Sequence, residues 1–480
     1  MLNSAVIEIL KEFDKSELKR FEDFVKSPYF NKKTIVVKLF KFIKKFSPEF
    51  KHENLKREVI WKNLYPVKEF NYGVMKNLIY DLTKVAESYL QIQMFESRNF
   101  RKQFYLLENL NQRSNKKLFS SKFKILYEKI LSQKLFTPEI YEYLKELNVL
   151  DYDFHFKNVS INKNENLTYA IAEYEIFYSL IECFKNYNNT IVFKLRNNYE
   201  KEINVLKVFL DNIAIGEILK EIKKLSEFDY TILNIYYLMY LATKHNEEPD
   251  YYYSYKEYLI NNDKYFEDPE KRLMYNFLEN TLTLNWKIPN RNKEYFEIDK
   301  IRIDRKIILD ENKSISFNEF AAIVKTASDF KETEFLKSFI NTYLKNVPKP
   351  VRRDAEIFSN AFLYYNKGEL DKALEIIVSH DMNSSEYRRN LRALNLKILY
   401  DKNDFLSSEY MIDSFRHYLS KDAVPEAYRN SYLNFCKFLL RLFRVRESKD
   451  KSEYSLLRHE VTENATANKT WLLEKISELK

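Results

Sequence analysis

The residues whose types and spacing could support chemistry are few. Asp151-Tyr-Asp-Phe-His155, if extended, sets two carboxylates and an imidazole on one face, a donor set suited to a divalent cation. No second ligand group accompanies it, so it reads as part of a polar loop over Asp151–Asn166 whose aromatics pack on neighbouring helices, with no metal. The six histidines, at 52, 155, 245, 380, 417 and 459, form neither HExxH nor an i, i+4 pair. Cys183 and Cys436 lie far apart with no CxxC, which argues against a zinc site or a disulfide framework and for a reducing compartment. The chain has 3 glycines in 480 residues, against roughly 7% in average usage. Gly73, Gly216 and Gly368 are too dispersed for a P-loop, a GxGxxG turn or a GxSxG elbow, all of which need glycine for positive φ or close backbone approach. Kinase, ATPase and dinucleotide-dependent chemistries are therefore excluded, and no cofactor is expected.

Charge is more informative. Between Lys26 and Lys62 stand 11 basic residues against three acidic ones, Glu49, Glu53 and Glu58; between Arg388 and Arg446 stand 12 against six. The whole chain is only +9, so both zones stand out as footprints for phosphate or for acidic partners, or as solvated lysine faces. Helices expected over 33–46, 53–64 and 71–90 have the lengths of a helix-turn-helix core, which would make the first zone a nucleic-acid surface. Against this, the third offers only Lys76 and Lys84 as exposed cations, and no strands for a wing follow it.

The elements that must position these residues are helices. Scarce glycine disfavours tight hairpins, and apolar residues recur at helical spacing throughout, so the fold class is all-α. The spacing predicts helices over 2–13 and 17–26 as well, and a long one from Asn71 with Met75, Leu78, Ile79, Leu82, Val85, Ala86, Tyr89 and Leu90 on one stripe, bending near Arg98 and continuing to about Asn111. Thr137-Pro-Glu139 and Asp268-Pro-Glu270 read as capped helix starts. Ile298–Leu309 fits a strand or a helix, and the all-α context favours the helix. With 45% hydrophobic residues and no run approaching 18 uncharged apolar ones, the chain reads as a globular protein. The start, Met1-Leu-Asn-Ser-Ala-Val-Ile, lacks a basic n-region, so a cytoplasmic location is expected.

From Ala355 onward the sequence repeats. Asn360-Ala-Phe-Leu-Tyr-Tyr365, Asn395-Leu-Lys-Ile-Leu-Tyr400 and Asn430-Ser-Tyr-Leu-Asn-Phe435 fall into register at a step of 35, the period of a stacking helix–turn–helix unit. The first copy, with Ala361, Tyr364, Gly368, Leu370, Ala373 and Ile377, resembles a tetratricopeptide repeat; the second is weaker, with Asn403 at the turn and Phe405, Ser408 and Ile412 following. His380 replaces a usually small residue of the pattern and reads as a core imidazole. Phe317–Thr326 and Glu332–Tyr343 look like a degenerate preceding pair, and the third copy runs on as helix through Arg444 to close the stack. In such stacks the first helix of each unit lines the concave face. By that resemblance the groove residues are Phe358, Phe362 and Tyr365, then Lys397 and Tyr400, then Tyr432, with Arg388, Arg389 and Arg392 at one end. Aromatic anchors beside a lysine suit an extended peptide with apolar side chains and an acidic group.

Phe21-Glu-Asp-Phe-Val-Lys-Ser-Pro-Tyr-Phe-Asn31, Asn77-Leu-Ile-Tyr-Asp-Leu82, Asp413-Ser-Phe-Arg-His-Tyr-Leu419 and Tyr432-Leu-Asn-Phe435 resemble a family of bacterial all-helical proteins with tetratricopeptide-like repeats in the C-terminal half. The resemblance spans most of 16–446 and implies no activity. The organisation expected is an N-terminal helical unit (1–113), a middle helical region (114–297), an irregular α-solenoid of repeat pairs (298–446) and a tail (447–480) ending in one short helix around Trp471. The function expected is a non-enzymatic scaffold that binds a protein or peptide through the concave face. The alternative is a DNA-binding regulator with an N-terminal helix-turn-helix and a C-terminal repeat sensor.

Overall fold

The computed structural model describes residues 3–157, 165–197, 204–285, 287–379, 385–421, 426–448 and 451–479. Those residues form 24 α-helices and no strand, only a single bridge between Phe136 and Phe266. None of these helices is long and apolar enough to cross a membrane. Two units emerge. One comprises Met1–Ser132 with Glu146–Asn164, the other Gln133–Lys145 with Glu165–Lys480, so one helix contributes to both.

The first unit holds α1 (Ala5–Lys11), α2 (Lys15–Lys26), α3 (Thr34–Lys44), α4 (Arg57–Leu64), α5 (Tyr72–Ser97), α6 (Asn99–Gln112), α7 (Lys116–Leu131) and the second half of α8 (Glu139–Lys157). Short polar side chains start several of them: Asp14 accepts from the Glu17 amide at 2.7 Å and Asn71 from the Val74 amide at 3.0 Å. The expected stripe of α5 from Met75 to Tyr89 is the wall on which α1, α2 and α3 close, with the Phe21 ring 4.9 Å from Phe40 and 5.2 Å from Tyr89, while Leu90, expected on the stripe, is exposed. The expected bend at Arg98 is a break that separates α5 from α6.

The second unit continues with α9 (Glu165–Asn197), α10 (Val205–Asn212), α11 (Ile215–Leu225), α12 (Glu227–Lys244), α13 (Pro249–Asn262), α14 (Asp268–Leu284) and α15 (Arg291–Asp304) around one tyrosine-rich core. The start of α14 lies one residue earlier than its sequence suggests: Glu267 is the cap and Asp268 is already helical. The segment from Ile298 is helical to Asp304, as the all-α context favoured.

Helix pairs follow: α16 (Phe317–Asp329) with α17 (Thr333–Tyr343), α18 (Lys349–Asn366) with α19 (Leu370–Ser379), and α20 (Ser385–Asp401) with α21 (Phe405–Lys421). The three turns have one geometry. Lys331, Gly368 and Asn403 each take positive φ (56°, 77° and 61°), and the amide of the next residue reaches back to the carbonyl of Ala327, Tyr364 and Leu399 at 3.1, 2.9 and 2.9 Å. The same turn closes the helices before Ser114 and Lys306, so it is a general helix stop in this chain. Lys306, Lys313 and Lys331 hold positive φ without being glycine, at a cost of about 1–2 kcal/mol each. The third copy, α22 (Glu426–Ser448), runs on without a turn. The tail carries two helices where one was expected: α23 (Lys451–Glu463), which buries Tyr454, Leu457 and Val461, and α24 (Lys469–Glu478).

Candidate partner-binding surfaces

The expected loop after Asp151 is a correction: Asp151–Lys157 is the last stretch of α8, and 158–164 lie outside the described residues. A helical pitch brings His155 Nε2 to 3.4 Å from Asp151 Oδ1 one turn away and turns Asp153 out to solvent. The three donors do not share a face, and no group of three His, Cys, Asp or Glu among the described residues could hold a metal ion. His380 also lies outside the described residues.

None of the nine residues expected to line an open concave face is exposed: four are buried and five half-buried. Phe358 and Phe362 are buried, their rings 4.8 Å apart, with Phe358 also 5.6 Å from Tyr387. Tyr400 is buried between Phe443 at 4.9 Å and Trp471 at 5.3 Å, with the Arg446 guanidinium over its ring. Lys397 is only 2% exposed, its Nζ 3.4 Å from Asp329 Oδ1. Burial holds its ammonium below the ordinary lysine range in spite of that carboxylate. Burial alone would raise the Asp329 carboxyl, but Lys325 at 2.9 Å and Lys397 outweigh it and hold it below its ordinary value. Tyr365 is half-buried; its hydroxyl donates to Asp401 Oδ2 at 2.8 Å and accepts from Trp471 Nε1 at 2.9 Å. Tyr432 is half-buried and donates to Asn390 Oδ1 at 2.8 Å. Arg388, Arg389 and Arg392 are half-buried, with Arg392 over the Tyr418 ring at 4.9 Å and near Ser414 Oγ at 3.4 Å.

The reason is α24. Its Trp471 meets residues from the first helix of all three copies: Tyr365 of α18, Lys397 and Tyr400 of α20, and Phe435 of α22. Trp471, Leu472 and Ile476 are buried, Lys475 pairs with Asp401 at 3.0 Å, and Glu474 pairs with Lys331. The aromatic-and-lysine chemistry read from the repeats is thus engaged by an apolar, carboxylate-bearing helix of the same chain. No local pattern announces this, because Tyr365 and Trp471 are 106 residues apart.

The other side of α20 is buried as well, and lies beneath a surface groove. At about 100° per residue, Asn395 and Leu399 point on average about 150° away from Lys397 and Tyr400. They floor a groove of about 480 Å³ walled by Leu374 of α19 and by Leu406, Ser407, Tyr410 and Met411 of α21. Leu406 and Tyr410, one turn apart, are 78% and 79% exposed, and Val378, one turn on from Leu374, is 74% exposed. Asn395 is only 4% exposed, and its Oδ1 has no hydrogen-bond partner among the described residues. Sequence reasoning took Asn395 as a register marker and overlooked Leu406 and Tyr410, although their i, i+4 spacing could have drawn attention to them.

In the N-terminal basic zone, Lys26 and Lys44 converge on Glu22 at 2.6 and 2.7 Å and together hold its carboxyl at about 2. Lys33 pairs with Asp81 and Lys56 with Glu53. Lys32, Lys38, Lys41, Lys45, Lys51, Arg57 and Lys62 make no ion pair within the described residues; Arg57 instead lies over the exposed Tyr72 ring at 5.0 Å. Helix α5 runs on for 26 residues where a winged fold would turn into strands. In the C-terminal zone, several cations are internal struts: Arg441 and Lys437 meet Glu460, and Lys402 meets Asp371.

No protein-family model, no curated protein and no solved structure matches the chain.

Proposed function

We propose that this protein is a non-enzymatic, cytoplasmic helical-repeat scaffold that captures a protein partner, and that the capture surface is the groove between α19 and α21. The observation that carries this reading is the pair Leu406 and Tyr410, each more than three-quarters exposed beside a groove floored by the buried Asn395 and Leu399. Apolar anchors flanking a concavity are what partner helices and peptides use, whereas isolated exposed apolar residues need no explanation. The concave side read from the repeats becomes a second contact surface only where α24 is displaced. The free thiols of Cys183 and Cys436 fit a reducing compartment.

The experiment is affinity capture from the native cell extract with the tagged full-length chain, beside a Leu406→Asp, Tyr410→Ser variant. A protein retained by the wild type and lost from the variant is the expected result. Retention of the same set by both forms would refute the groove as capture surface. The alternative, a DNA-binding regulator, draws support from the seven cations of the N-terminal zone that lack ion pairs. It is tested by adding nuclease and raising salt in the same captures. Phosphate-driven binding without base readout fades steeply between 50 and 200 mM salt, so retention of one duplex sequence at physiological salt would favour the regulator.

A further inference from the structure

We infer that the α19–α21 groove takes a basic amphipathic helix from a partner protein. This inference rests on the scaffold reading and specifies the partner's chemistry. Three observations converge. Leu406 and Tyr410 stand one turn apart along one wall, opposite Leu374, so apolar residues at i and i+4 of a docked helix would find side chains at matching rise. The rims are acidic. Along 370–378 and 405–411, Asp371 is held by Lys402 and the only cation, Lys372, by Glu369 at 2.6 Å. That leaves Glu375 and Glu409 exposed and without an ion pair among the described residues, one beside each wall. A ligand with Lys or Arg flanking its apolar stripe satisfies both, while an acidic one meets like charge.

The third observation is Asn395, 4% exposed in the groove floor, whose Oδ1 is a buried acceptor with no hydrogen-bond partner among the described residues. A buried polar atom left unpaired is costly, and a ligand N–H or O–H recovers that cost by drawing the shielded amide round towards the groove. An ammonium, guanidinium, indole or hydroxyl at the centre of the ligand's apolar stripe fits this demand. A wholly apolar helix does not, and neither does a carboxylate, which has no proton to give at neutral pH.

The test uses the full-length chain and two synthetic 18-residue helical peptides with one Leu-rich face carrying a central Lys. One is flanked by Lys and Arg, the other by Glu, and binding is followed by fluorescence anisotropy. Expected are tenfold or greater preference for the basic peptide, loss of that binding by at least tenfold in Leu406→Asp with Tyr410→Ser, and a reversed charge preference in Glu375→Lys with Glu409→Lys. Asn395→Leu separates a ligand-facing role from a structural one. A ligand-facing acceptor predicts weaker peptide binding with an unchanged or raised unfolding midpoint, and a structural one predicts a lowered midpoint. Equal binding of both peptides, or of neither, overturns the inference, while the scaffold reading still stands or falls on the extract capture. Sedimentation showing a wild-type dimer that Leu406→Asp dissociates would assign the groove to a second copy of this chain and overturn it too.

Discussion

Replacing Trp471 by alanine tests whether α24 covers the repeat face. The indole is 6% exposed, its Nε1 donates to the Tyr365 hydroxyl at 2.9 Å, and its ring lies 5.3 Å from Tyr400 and 5.8 Å from the buried Lys397 ammonium. Truncating a tryptophan in such a setting costs about 3–5 kcal/mol, since the removed area and the cavity left behind both count. Trp471→Phe retains most of the ring and loses chiefly the N–H, a cost nearer 1 kcal/mol. Because α24 is a ten-residue helix held through Trp471, Leu472 and Ile476, its local opening free energy lies below the global one, so the larger loss frees this helix before the rest unfolds. Hydrogen exchange read by mass spectrometry should therefore show protection lost over 469–478 and over the facing turns of α18 and α20 in the alanine variant. The phenylalanine variant should show a partial loss. Guanidinium denaturation followed by far-UV circular dichroism supplies the energetic order, alanine below phenylalanine below wild type. Unchanged protection over 469–478 with a midpoint within about 0.5 kcal/mol of wild type would refute the docking.

Three further outcomes are expected. Arg302 is 1% exposed and donates to Glu279 at 2.7 Å while pairing with Glu319, which keeps Arg272 at 3.0 Å; Arg302→Ala strands Glu279 and should cost about 3–5 kcal/mol by urea denaturation, and a loss below 1 kcal/mol refutes it. Glu22, held at about 2 first by Lys26 and then by Lys44, contributes stability that is complete above the ordinary carboxylate range and is lost as pH falls from about 4.5 towards 2. With solvent screening the contribution is about 1 kcal/mol, so the difference between wild type and Glu22→Gln should be present at pH 7 and vanish near pH 2; a difference constant with pH contradicts it. Burial pushes the Cys436 thiol up to about 12, so in a Cys183→Ser background a thiol reagent at pH 8 should label the chain only on unfolding, and rapid labelling of the native form would show that this core opens.

What the sequence by itself determined is what short-range physics encodes. The turn at Gly368 and its counterpart at Asn403, 35 positions on, were legible because a helix pair must reverse with a left-handed residue, and glycine and asparagine tolerate it. The stripe on α5 and the uninterrupted third copy follow from the 3.6-residue period and from the absence of a stop, whereas the bend expected at Arg98 is a break. Lys331 shows the edge of that legibility: it makes the same turn, yet nothing in its type says so. Tertiary structure alone decided which faces are covered. Tyr365, Lys397 and Tyr400 carry the residue types of a ligand groove, but the same types suit a helix core. The choice between them is made by Trp471, which arrives from the far end of the chain. Helical periodicity tells which residues share a face and says nothing about which segment buries it, because burial is a long-range contact with no local signature. For the same reason α20 had to be seen in place before Asn395 and Leu399, a half-turn away from the covered side, became the floor of the open groove.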